Sequence, residues 1–100
     1  MTECVTEVEE STDIKIIEPK KYKVILFNDN HTTVEFVIAL LLTIFRHSES
    51  SAYEITMKVH NEGKGVAGVY THEVAEQKSI DCIESARKQG FPLVVKVEVE

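Results

Sequence analysis

The chain predicts an α+β fold, a three-stranded sheet with three helices packed on one face, in the order β-α-α-β-α-β. Three observations carry this. Short β-branched and aromatic runs stand at residues 22–27, 66–70 and 93–99, the make-up of strands. Longer stretches with helical spacing of apolar residues lie between them. Asn, Asp, Gly and Pro punctuate the junctions, where the backbone has to turn. Three strands with helices on one side make an open-faced sandwich.

The first strand, YKVILF, spans Tyr22 to Phe27 and stops at Asn28-Asp29-Asn30, side chains that bond nearby backbone and favour turns. Thr32 stands three residues before Glu35, a capping-box spacing that predicts a helix start. Val34 to Phe45 is apolar almost all round, which predicts a helix buried on most sides. The second helix runs from Ser48 to about Asn61, with Ala52, Ile55 and Val59 on one face and Thr56, Val59 and His60 on a neighbouring one. Gly63 and Gly65 are expected to end it in left-handed backbone. After the strand Val66–Tyr70, Thr71 can cap a third helix from His72 to about Gln89, with Val74, Ala75, Cys82, Ile83 and Ala86 facing inward. Gly90 and Pro92 close it. The last run, LVVKVEV, alternates apolar with charged residues, as a strand with one wet face does. Strand order stays open; the final crossover is right-handed if its strands are parallel.

One hundred residues, 43% hydrophobic and 28% charged, describe one globular domain. No apolar run reaches the length needed to cross a bilayer, and MTECVTEVEE lacks a secretory pattern. The expected location is cytoplasmic, with no membrane partner. The formal charge is −6, of which residues 1–20 hold −4. Residues 1–19 read as a flexible acidic extension ahead of a core domain at 20–100. Neither part has the basic surface that phosphate binding needs, so nucleic acid is not expected as a partner. Cys4 and Cys82 are far apart in the sequence and read as free thiols, forming neither a disulfide framework nor a zinc site.

Asn28-Asp29-Asn30-His31, between a buried strand and a buried helix, is the most informative polar cluster. Its plain reading is a capped loop. A second reading brings it beside the Thr56, Val59 and His60 face, making a shallow pocket that is apolar inside and polar at the lip. Such a pocket suits a peptide's first residue. Its ammonium has three donors and no acceptor, and amide oxygens, carboxylates and a histidine nitrogen can accept from it.

The runs YKVILFNDNHTTVEFVIALL (22–41), VHNEGKGVAGVYTHEVAEQK (59–78) and FPLVVKVEVE (91–100) resemble the ClpS adaptor family. That resemblance implies a non-enzymatic, monomeric adaptor without cofactor or metal. It would bind N-degrons, which present a free α-amine and a bulky apolar first side chain, and deliver them to a ClpA-type or ClpC-type unfoldase–protease. By position it implies amine binding by Asn28, Asp29, Asn30 and His60. It implies a side-chain pocket of Thr32, Val34, Val37, Thr56, Val59 and Leu93, and docking on the unfoldase's N-terminal domain through Glu73, Glu76 and Lys78. The acidic extension matches the segment the family uses to hand over substrate. Two departures stand out. The family usually has a second acid where this chain has Asn30, and methionines where it has Val34 and Thr56.

Other readings are weaker. His31, His47 and His72 look like exposed loop and helix-end residues. Asp29, His31 and His60 match no compact metal-ligand motif. Cys82 reads as helix core, not as a nucleophile. The strand and helix order is similar to the C-terminal domain of the ribosomal stalk protein, but the lysine-rich helix face expected there is missing. Within the ClpS family, the Asn30 departure leaves open a modulator that docks on the unfoldase and binds N-ends weakly.

Overall fold

A computed structural model describes residues 20–100. The acidic extension at 1–19 and Cys4 lie outside the described residues. The elements run β1 (Tyr22–Phe27), α1 (Val34–Thr43), α2 (Glu49–Glu62), β2 (Lys64–Tyr70), α3 (His72–Gln89) and β3 (Val94–Val99), the predicted order. β1 is the central strand, antiparallel to β2 on one side and to β3 on the other. β2 and β3 are therefore parallel to each other without pairing.

Alternation along the strands places Val24, Leu26, Ala67 and Val95 against the helices, where they join Val37, Leu40, Leu41, Phe45, Ala52, Val59, Ala75, Cys82 and Ala86 in one core. The other sheet face is wetter, and there the Lys96 ammonium sits 5.5 Å from the Phe27 ring centroid, within reach of a cation–π contact. β2 carries a bulge opposite Val24 and Ile25, with Ala67 as the extra residue. The Ala67 carbonyl accepts a hydrogen bond from His47 Nε2. A carbonyl can only accept, so that nitrogen carries the proton.

Several local expectations are corrected. Thr33, not Thr32, caps α1: its hydroxyl accepts from the Phe36 N–H at 3.2 Å. Thr32 is taken instead by Asp29, a charged and therefore stronger acceptor. α1 ends at Thr43, and Arg46 beyond it adopts positive φ. The helix buries Val37, Leu40 and Leu41, while Val34 is 41% exposed, so it is less enclosed than its composition suggests. Gly63 ends α2 in left-handed backbone at φ 91°, but Gly65 belongs to β2. It is a glycine because a Cβ there would stand 2.9 Å from Val59 Cγ2. Thr71 stands at the cap position of α3 without a side-chain capping bond. Val74 is 43% exposed; the buried stripe of α3 is Ala75, Ser79, Cys82 and Ala86, and Val74 lies one residue out of phase with it. His47 is half-buried by its bond to β2 rather than exposed. His72 is exposed, stacks edge-on to Tyr22 and lies 3.5 Å from Glu76.

Candidate functional site

A cavity of about 470 Å³ opens between the β1–α1 loop, the first turn of α1 and the C-terminal half of α2. One backbone bond holds these parts together. The Asn28 N–H donates to the Gly63 carbonyl at 2.9 Å, which ties the end of β1 to the end of α2. Gly63 reaches that place by its left-handed conformation, with its own N–H bonded to Val59. The link brings Asn28 and His60 to one cavity although 32 positions separate them in the sequence.

Asn28, Asp29, Asn30 and His60 all line the opening. Asn28, Asn30 and His60 are exposed, and among the described residues no side-chain hydrogen bond engages any of them. Asp29 organises the loop. Its carboxylate accepts from the His31 and Thr32 N–H groups, both at 2.7 Å, and from the Thr32 hydroxyl at 2.6 Å. Burial works against its charge, but the Thr32 hydroxyl and the two N–H groups outweigh that and hold its pKa below the usual carboxylate value. The loop is therefore pinned with an anion at its centre.

The buried wall of the cavity is Val37, Thr56 and Val59. Thr32 and Val34 stand at the mouth. Leu93 is not among the lining residues; it is 8% exposed and belongs to the core. Thr33 and Glu35 also line the cavity and were missed as site residues. Their signal was the capping pattern itself: a helix start beside a polar loop presents its first turn to the same space. The carboxylates of Asp29 and Glu35 oppose the positive end of the α1 dipole, which suits a cationic group.

Glu73 and Glu76 are exposed on the first turns of α3. Lys78 is half-buried and turns inward. Its ammonium donates to the Ile44 carbonyl at 2.7 Å and sits 5.1 Å from the Tyr70 ring centroid, so it satisfies the open carbonyl end of α1. Among the described residues there is no cluster of His, Cys, Asp and Glu able to hold a metal ion, and no helix long and apolar enough to cross a membrane.

Residues 17–96 match the family model described as ATP-dependent Clp protease adaptor protein ClpS. The ATP-dependent Clp protease adapter protein ClpS of Helicobacter hepaticus is 42% identical over 93 residues, 93% of this chain and 94% of the relative. That of Lawsonia intracellularis is 52% identical over 79 residues, 79% of this chain and 72% of the relative. Among solved structures, Agrobacterium tumefaciens ClpS2 bound to L-phenylalaninamide superposes with a TM-score of 0.79 at 37% identity, covering 83% of this chain and all of that one.

Proposed function

The chain belongs to the ClpS family of Clp protease adaptor proteins, and from that premise we propose that it captures polypeptides by a free N-terminal amine and a bulky apolar first side chain and delivers them to a Clp unfoldase–protease. The observation that carries this is the cavity itself, in which Asn28, Asp29, Asn30 and His60 stand at the opening and Val37, Thr56 and Val59 form the buried wall. L-phenylalaninamide, the molecule bound by the structural neighbour, has a free α-amine, an aromatic side chain and an amide where a peptide chain would continue. This is the chemistry of a polypeptide's first residue.

The amine donates to Asn28, Asn30 and His60, with Asp29 supplying charge nearby. The side chain enters past Val34 to Val37, Thr56 and Val59. Burying a Leu or Phe side chain contributes about 1.5–3 kcal/mol. Each bond to the charged amine adds about 1.5–3 kcal/mol, and ordering costs offset several kcal/mol. The balance is micromolar to sub-micromolar binding, which suits a transient carrier. Glu73 and Glu76 form the unfoldase-docking face, with Lys78 bracing the turn beneath it. The protein works as a cytoplasmic monomer.

Fluorescence anisotropy with short peptides that differ only at residue one tests this. A peptide beginning with free Phe or Leu binds saturably; N-acetylation abolishes binding because the ammonium donors are gone; His60→Ala weakens it at least tenfold. Equal binding of acetylated and free peptides refutes the reading. A second reading is favoured by Asn30, which brings no charge where the family usually has an acid: a docking modulator with weak N-end binding. Normal docking on the unfoldase's N-terminal domain without peptide binding selects it.

A further inference from the structure

We propose that the buried hydroxyl of Thr56 reads the far end of the captured side chain, so that the pocket prefers an N-terminal tyrosine to an N-terminal phenylalanine. This inference rests on the adaptor reading above and specifies its ligand.

Thr56 lies on α2, lines the cavity and is 2% exposed. Its Oγ1 is buried and, among the described residues, has no hydrogen-bond partner. A threonine within a helix usually settles its hydroxyl on a carbonyl one turn back. Here that bond is not made, although Ala52 stands in the preceding turn. The neighbouring wall residues, Val37 and Val59, are apolar and offer the hydroxyl nothing. Valine has the same shape and would fill the position without an unpaired polar atom. A hydroxyl kept unpaired in the wall of a binding cavity is a group awaiting its partner.

The phenol of tyrosine is that partner. It both donates and accepts, so it pairs with the threonine hydroxyl whichever way the proton points. As placed, Oγ1 has no surface open to the cavity; threonine has two populated χ1 wells in a helix, and the ligand draws the hydroxyl into the one that meets the phenol. Phenylalanine fills the same space but leaves the hydroxyl unpaired where water does not reach it. Sites with buried polar groups discriminate in this way against the analogue that lacks the matching group. One net hydrogen bond corresponds to a preference of about fivefold.

The test is peptide anisotropy with two sequences that differ only in Tyr or Phe at residue one, measured on the full chain and on Thr56→Val and Thr56→Ser. The full chain binds the Tyr peptide about fivefold tighter. Thr56→Val loses Tyr affinity and gains Phe affinity, so the ratio falls to about one or below. Thr56→Ser keeps the hydroxyl and keeps the preference. Thermal unfolding of each variant checks that it is folded, and Thr56→Val melts no lower than the full chain. An equal or Phe-favouring ratio in the full chain overturns the inference alone, as does a ratio that Thr56→Val leaves unchanged. Failure of the full chain to bind either peptide overturns the adaptor reading and this inference with it.

Discussion

Asp29 and Asn30 are neighbours with different work. Asp29 spends its carboxylate on the loop, accepting from the N–H groups of His31 and Thr32 and from the Thr32 hydroxyl. These bonds outweigh the burial that raises its pKa and leave it lowered from 3.8. A carboxyl with a depressed folded-state pKa stabilises the loop fully above its ordinary value and loses that stabilisation as pH falls through the lower folded value. Amide chemical shifts of His31 and Thr32, followed on acidification, therefore turn over below pH 3.8; a midpoint above it contradicts the role given to Asp29. Asn30 lines the same opening but is neutral, and charge-assisted hydrogen bonds are roughly twice as strong as neutral ones. Asn30→Asp is expected to tighten binding of free-amine peptides several-fold in a peptide titration, and unchanged or weaker binding counts against it. At this scale the sequence was only partly legible. The polar cluster stood out, but the competition for Thr32 is decided by which oxygen is charged and near, and a capping pattern alone does not reveal that. Family position points Leu93 to the pocket, while its side chain here belongs to the core.

The site depends on how closely α2 lies on β2. Gly65 permits that approach: a Cβ there would stand 2.9 Å from Val59 Cγ2 and 3.6 Å from the Ile55 carbonyl oxygen and the Val59 nitrogen. Gly65→Ala pushes α2 outward at a cost of about 1–3 kcal/mol, as overpacking does. At about 4–8 °C per kcal/mol for a domain of this size, thermal unfolding should occur at least about 4 °C lower. Peptide affinity should fall too, because Val59 forms part of the cavity wall. An unchanged melting temperature would show that the contact relaxes freely. Element order and most boundaries were readable because hydrophobic period and turn residues act locally. Val74 reads as inward in the sequence because adjacent apolar residues look alike in a helical pattern, and only the packing of α3 on the sheet selects the stripe of Ala75, Ser79, Cys82 and Ala86.

Across the whole molecule, the sheet order β2-β1-β3 was not readable, since all three strands alternate in compatible ways and the choice lies in long-range packing. The meeting of Asn28 and His60 is likewise a product of the complete fold, made by the bond from Asn28 to Gly63; the residue pattern suggested it and the family resemblance supplied the pairing. The core that holds it includes Cys82, whose thiol is pushed up to about 12 by burial and by the nearby Asp81 charge. A raised folded-state pKa favours the fold below the unfolded value of 9.0 and withdraws that support as pH climbs toward 12. In a Cys4→Ser variant, thiol reagents at neutral pH should label Cys82 only after denaturation, and rapid labelling of the folded protein would contradict its placement. The central claim is that one cavity grips an N-terminal amine and its side chain together. A two-dimensional amide NMR titration with L-phenylalaninamide and its N-acetyl derivative tests it most directly. The free amine should shift Asn28, Asn30, Thr56, Val59 and His60 in a saturable way while the acetylated compound leaves them in place; shifts scattered elsewhere, or identical responses to both compounds, would contradict it.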